Sequence, residues 1–331
     1  MSLLTIVQNA LGEIGLPQPN TVVGNSDVRA AQALALTNRA GLEIVNATNA
    51  ANYWPVIRKQ FLFNLLGIGP FTGTFTPGSN VITGVAFTGS GTGLSGVQAN
   101  WQASSKYLLN DTAVVSVDTV GNTVTLNQNC NLTSSQGVQT DTSLAFGQEA
   151  YPLPADLNYF IEQTGWDRNF RWQLLGPVDA QEWQVLKSGI SPVGPRLRYR
   201  LMQGMIYLNP APYVPTGQSS PISDLIVMEY ASKYWVAPAG TASPSQPTQS
   251  LFQLDSDICL AFDEDLLTKS LKWRMLKAIG SAYAEEFDEY QDDLDRKSGR
   301  QTMARNLPLN ARASGIRLLN SQNVPDTGFG S

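Results

Sequence analysis

The chain has 331 residues, 42% of them hydrophobic, with 22 Lys and Arg against 27 Asp and Glu, two cysteines and no histidine. That length can bury one large core or two modest ones, since domains commonly run to about 100–200 residues. The lack of histidine removes the commonest general base, the Ser-His and Cys-His dyads and the commonest metal ligand, and a net charge of −5 argues against tight phosphate binding.

Leu3, Leu4, Val7, Ala10, Leu11 and Ile14 recur on one helical face, and Gly15 with Pro17 closes the run, which predicts a short amphipathic helix. Ser26 and Asp27 open a second helical run through Ala30, Ala33, Leu34, Leu42, Ile44 and Val45, with Ser26 as N-cap and Pro55 as the stop just after Tyr53-Trp54. After Arg58-Lys59, Gln60 to Leu65 reads as a strand.

From about Gly67 to Gln148 the composition turns to Gly, Ser, Thr and Asn, with Lys106 the only basic residue. Val81-Ile82-Thr83, Ala113 to Val117 and Thr123 to Leu126 are β-rich runs, the last two separated by a turn at Gly121-Asn122. This segment is expected to be a small inserted β-sandwich or β-barrel. Gly89, Gly91, Gly93 and Gly96 look superficially like a phosphate loop, but neither a Lys-Ser/Thr pair nor a helix start follows them, so they read as a loop between strands.

Beyond the insert come Tyr151-Pro152-Leu153-Pro154-Ala155-Asp156, then Trp166-Asp167-Arg168 and Gly176-Pro177. Asp179 with Glu182 three residues on has capping-box spacing and predicts a short helix. Leu197 to Met202 and Met205 to Asn209 flank Gln203-Gly204 as a tight hairpin, and Leu225 to Tyr230 supplies another strand, for an expected three-stranded antiparallel sheet. Ala237 to Ser250, with Pro238, Pro244 and Pro247, is expected to be a surface loop. One long helix is predicted from about Asp263 to Lys297, spanning on the order of 50 Å. Its buried stripe would be Leu267, Leu271, Ala278, Ile279, Ala282, Tyr283, Phe287, Tyr290 and Leu294.

The expected class is α+β. A helical bundle scaffold with a small antiparallel sheet occupies residues 1–66 and 150–299, the β insert residues 67–149, and an extended C-terminal tail residues 300–331.

No run approaches the roughly 20 apolar residues of a membrane span, and Met1-Ser2-Leu3-Leu4 lacks a basic leader region. Cys130 and Cys259 are far apart and without CxxC spacing, so no disulfide framework or zinc site is suggested. Asp255, Asp257, Asp263, Glu264 and Asp265 lack the Gly and terminal Glu of a calcium loop and read as caps and solvated surface. Tyr53, Trp54, Trp166, Trp172 and Trp183 could form a sugar platform but read better as core. Paired carboxylates could serve a glycosidase, yet among 27 acids many pairs arise without one. No enzyme activity, cofactor or metal is expected.

Glu285, Glu286, Asp288, Glu289, Asp292 and Asp293 form an acidic run, continued by Asp295, at the C-terminal part of the predicted long helix, where acids oppose the macrodipole and repel one another. Helix stability alone would not choose that pattern. Either it is a solvated face partly neutralised by Arg296, Lys297 and Arg300, or it faces a DNA channel or a basic partner; the channel is the expectation carried forward.

The order of these blocks resembles the head-to-tail adaptor proteins of tailed bacteriophages. Two amphipathic helices lead to Asn52-Tyr53-Trp54-Pro55-Val56-Ile57-Arg58-Lys59, similar to that family's Trp-Pro-x-x-Arg segment. A strand then precedes Tyr151-Pro152-Leu153-Pro154-Ala155-Asp156, similar to its Tyr-x-Leu-Pro-x-Asp segment, here delayed by the insert. Tyr230 to Trp235 and Leu266 to Tyr283 resemble the closing strand and long helix.

The resemblance implies a structural virion protein, assembled in the host cytoplasm, that forms a ring of about twelve copies under the portal. Its partners would be the portal, further copies of itself, and a tail tube, nozzle or tail completion protein, with double-stranded DNA passing unbound and no membrane involved. Arg300, Arg305, Leu307, Arg312, Ile316, Arg317 and Leu318 in the basic tail are the expected portal contact. The alternative is a receptor- or glycan-binding tail component that uses the β module.

Overall fold

The computed structural model describes residues 2–47, 54–88, 93–189, 196–213, 224–239 and 246–301. Helix α1 (Leu3–Glu13) is capped by Ser2 and buries Leu3, Ile6, Val7, Ala10 and Leu11, the spacing of a single face. Helix α2 (Val28–Val45) is capped by Asp27 rather than Ser26, the Asp27 carboxylate accepting from Arg29 N–H at 3.0 Å. It ends at Val45, ten residues before Pro55. There Asn46 turns its N–H back to Leu42 O, and the Asn158 amide bonds Asn46 Oδ1 at 3.0 Å, so a distant side chain sets this end. Tyr53 lies outside the described residues.

Strand β1 (Arg58–Asn64) follows a 3₁₀ turn at Pro55–Ile57 and pairs antiparallel along its full length with β13 (Leu225–Ser232). Strands β9 (Leu157–Phe160) and β10 (Trp166–Asp167) take the other edge of β13. The hairpin β11 (Arg198–Met202) and β12 (Met205–Asn209) forms as expected, with Gln203 at φ 54° and Gly204 at φ 72° in its turn. Its third strand, however, is β8 (Ala150–Pro152) and not β13, which belongs to the other sheet. Helix α3 (Ala180–Lys187) starts where the capping-box spacing placed it, with Asp179 accepting from Glu182 N–H at 2.7 Å, and packs Trp183 and Leu186 toward Tyr207 of β12.

The Gly/Thr-rich segment is a six-stranded antiparallel sheet. Its strands are β2 (Gly67–Phe75), β3 (Val81–Phe87), β4 (Gln102–Ser104), β5 (Val114–Asp118), β6 (Thr123–Leu126) and β7 (Gln139–Gly147), in spatial order β4-β7-β2-β3-β6-β5. The sheet curls until its two edges meet. Val114 N–H donates to Trp101 O and Ala103 N–H to Thr112 O, both at 2.8 Å, beside a Gln102–Ala113 bridge. Curling removes exposed edges and encloses a separate core of Phe71, Phe75, Ile82, Val124, Leu144 and Phe146. Gly89 and Gly91 lie outside the described residues; Gly93 and Gly96 flank and form a short 3₁₀ turn.

The predicted long helix is two helices, α4 (Glu264–Ile279) and α5 (Ala284–Gln301). Gly280 sits at φ 80° and donates to Lys277 O, while Ser281 donates to Leu276 O, the paired bonds of a glycine-terminated helix end. The chain then folds back, and Ala278, Ile279, Ala282 and Tyr283, expected in a buried stripe, are exposed at the resulting tip.

Helices α1, α2, α4 and α5 share one core, which also takes in Trp54, Trp235, Phe252 and Phe262 from connecting segments. Val236 of β14 (Val236–Ala237) bridges to Gln249 at the far end of the following loop, while β14 pairs with β15 (Ile258–Cys259); residues 240–245 lie outside the described ones. Cys130 and Cys259 are both buried free thiols. The architecture is α+β, with several antiparallel sheets, and among the described residues no helix is long and apolar enough to cross a membrane.

Candidate assembly surfaces

The hairpin of α4 and α5 is held by ionic contacts around one buried acid. Asp293 is 1% exposed and accepts from Arg296, from Lys297 at 3.0 Å and from Lys269 at 3.5 Å. Burial would raise its carboxyl, but Arg296, then Lys297 and Lys269, outweigh that and hold it at about 2. Lys297 also reaches Asp263 at 3.0 Å and Asp265 at 3.2 Å, tying the last turns of α5 to the first turn of α4. The antiparallel fold thereby brings lysines to acids that a single straight helix would leave about 50 Å apart.

This geometry divides the acidic run. Asp293 is withdrawn from the surface, Glu286 is half-buried, and Glu289 pairs with Lys269 at 3.0 Å. Glu285, Asp288 and Asp292, joined by Asp295, lie exposed along one stripe of α5 at spacings of three and four residues. Among the described residues none of these four has a cation within ion-pair distance. The expected portal residues Arg305, Leu307, Arg312, Ile316, Arg317 and Leu318 lie outside the described residues, as does the side chain of Arg300.

A second surface lies beside the first residue of β13, where Arg168 N–H donates to Leu225 O. Between Asp167 and Gln173 the chain makes a short loop, closed by Asp167 N–H donating to Trp172 O at 2.8 Å. The buried Asp167 carboxylate accepts from Asn169 N–H at 2.8 Å and Phe170 N–H at 3.1 Å, and the Asn169 amide bonds Asp224 at 2.6 Å. These bonds fix a tip whose apolar side chains face water. Phe170 is 57% and Trp172 36% exposed, with ring centroids 5.9 Å apart and exposed Arg168 and Arg171 beside them. Trp166-Asp167-Arg168 was visible as a block in the sequence, but Phe170 and Arg171 were not singled out. The available signal was Asp167 followed by Asn169, residues that bend a chain through their side chains.

A third feature is the seam between the curled sheet and α3. Lys187 reaches Glu149 at 2.5 Å and Asp111 at 2.8 Å, Gln102 bonds the same Glu149, and a cleft of about 300 Å³ opens alongside. Burial raises the Glu149 carboxyl more than Lys187 lowers it.

Three acids of the cluster read as caps and solvated surface are backbone caps, as expected. Asp255 accepts from Val22 and Val23 N–H, buried Asp257 from Gln253 and Leu254 N–H, and Asp263 caps α4. Of the aromatics read as core, Trp54 and Trp183 are buried, Trp166 is half-buried and Trp172 is instead exposed at the loop tip.

The SU10 adaptor protein family matches residues 110–313, well over half of the chain. The chain belongs to the SU10 adaptor family. No curated protein matches it. The adaptor's matched span runs from the middle of the curled sheet through the aromatic loop, α3 and both helices of the hairpin, and leaves out Gln102 of the seam. As a member of a phage head–tail adaptor family, this adaptor is a structural protein of the virion.

Proposed function

We propose that this adaptor forms a closed ring of about twelve copies beneath the portal, extends the DNA channel, carries the platform to which the tail attaches, and performs no catalysis. The observation that supports this reading is the family membership, which covers the hairpin and the aromatic loop together. A closed ring needs two different complementary patches on each subunit, and those two surfaces differ in both charge and shape.

In this reading the C-terminal tail is the portal anchor. From Arg296 to Ser331 it carries Arg296, Lys297, Arg300, Arg305, Arg312 and Arg317 against the single acid Asp326, in a chain acidic elsewhere. Such a segment is drawn to an acidic partner, and Leu307, Ile316 and Leu318 supply apolar contacts along it. Removing residues 305–331 is expected to abolish co-sedimentation with portal rings; unaltered binding would place the anchor elsewhere. Copy number in purified virions tests the ring itself: about twelve supports it, whereas a multiple of three that does not fit twelve points to a fibre or spike.

A further inference from the structure

We propose that the exposed aromatic loop of one copy docks on the tip and acidic stripe of the α4–α5 hairpin of the next copy, making the lateral contact of the ring. The proposal rests on the ring reading above and names the residues that would build it.

Four observations lead there. First, Phe170 and Trp172 are large apolar side chains held in water by a loop that hydrogen bonds have already fixed, so ordering the loop adds little cost on binding. Aromatic residues flanked by arginine are the composition of interface hot spots.

Second, the hairpin offers the matching chemistry. Ile279 is 52% and Tyr283 36% exposed at its tip, and Glu285, Asp288 and Asp292 continue from them along α5. Arg296, on the same side, is taken by Asp293. An apolar tip running into carboxylates complements an aromatic pair flanked by guanidiniums.

Third, neither side finds its complement within the subunit. Among the described residues Arg168 and Arg171 have no carboxylate within ion-pair distance, and Glu285, Asp288 and Asp292 have no cation.

Fourth, the two surfaces belong to different parts of the subunit, the loop at the start of β13 and the hairpin on the helical core. Arg168 N–H bonds Leu225 O at the first residue of β13, whereas its last residues lead into Trp235 in the helical core. At roughly 3.3 Å per residue the eight residues of β13 span about 26 Å. Two such different patches on successive copies can meet head to tail, the arrangement that closes a ring.

The test uses the full-length chain assembled on portal rings. Because Cys130 and Cys259 are buried, engineered surface thiols are the reactive ones. The double variant Asn169→Cys/Asp288→Cys is expected to give, on mild oxidation, a ladder of covalent multimers, and each single variant none. Arg168→Glu/Arg171→Glu is expected to lower the assembled fraction by about tenfold, and Glu285→Lys/Asp288→Lys/Asp292→Lys to restore it in the same chain. Rings that form normally without a ladder, and that tolerate Arg168→Glu/Arg171→Glu, overturn the contact while leaving the ring reading intact. Neutralising Glu285, Asp288 and Asp292 with rings intact but DNA retention altered also overturns it, assigning the stripe to the channel wall. A wild-type chain that forms no ring on portals overturns both readings, a failure distinguished by occurring without any substitution.

Discussion

Gly41 of α2 lies so close to the indole of Trp235 that a Cβ at position 41 would overlap the six-membered ring. Trp235 is fully buried, stacked on Phe262 at 5.4 Å and met edge-on by Phe252 at 5.0 Å, and its indole N–H donates to Ser250 O at 2.6 Å. The ring has nowhere to go. Gly41→Ala, which in an exposed helix would gain about 1 kcal/mol, is therefore expected to destabilise the protein by about 2 kcal/mol. Chemical denaturation measures this, and a variant as stable as the wild type would show that α2 can shift away from Trp235.

The ionic hub of the hairpin predicts an acid-sensitive element. Asp293 titrates near 2 in the folded chain, below its value when unfolded, so its contribution is present at neutral pH and is lost as pH falls from about 5 toward 2. Asp293→Asn should cost about 2–3 kcal/mol at pH 7 and roughly half of that at pH 3, midway through the window in which the wild type loses the contribution. Helix content followed against denaturant at both pH values reads the difference.

At the seam, Lys187 is the cation that compensates Glu149. Lys187→Met strands a buried carboxylate and is expected to destabilise by about 3 kcal/mol. Because the Glu149 carboxyl is already raised, it protonates more readily than an ordinary one, and lowering the pH to about 5 should recover part of the loss. Lys187→Met/Glu149→Gln should recover stability at pH 7 as well. A double variant as unstable as the single one would mean that Lys187 acts through packing on Trp183 instead.

Local signals were legible in the sequence where the local chain decides the structure. Asp179 with Glu182 marked the start of α3, and Gln203-Gly204 marked a hairpin because both positions take positive φ. The composition change at Gly67 marked the start of the curled sheet, since a run rich in Gly, Thr and Ser and poor in charge favours strands and turns wherever it lies. Failures arose where distant residues decide. The partner of β12 is chosen by β8, dozens of residues upstream across α3, and the sequence near Leu225 carries no sign that β1 will claim β13. Gly280 was read through because apolar residues continue on both sides of it, although one glycine with positive φ ends a helix. Asp293 looked like its acidic neighbours; only the return of α5 onto Lys269 separates it from them.

Where the chain enters and leaves the curled sheet, one hydroxyl joins the two segments. Leu66 N–H donates to Tyr151 Oη at 3.0 Å, and that hydroxyl donates to Gln148 O at 3.0 Å. Burial raises the phenol, so it keeps the proton this bridge requires. Tyr151→Phe should cost about 1–2 kcal/mol and raise amide exchange at Leu66 ahead of the strands on either side.

The curled sheet holds its own core, and residues 66–150 expressed alone are expected to give a cooperative β fold by circular dichroism and thermal melting. An unfolded product would mean that α3 and Lys187 are required to complete it.

Gly67 and Gly147 are register partners, both packed against the backbone of Pro212, where no side chain fits. The first and last residues of the module therefore lie side by side, and the rest of the chain meets it as though it were a tight loop between β1 and β8. Away from the seam with α3, where Asp111 and Gln102 meet Lys187 and Glu149, what lies between those glycines leaves the entry and exit of the chain unchanged. An insertion or deletion at a turn of the module far from the seam would therefore leave the path of β1 and β8 untouched, whereas any side chain at Gly67 or Gly147 would push the module off Pro212.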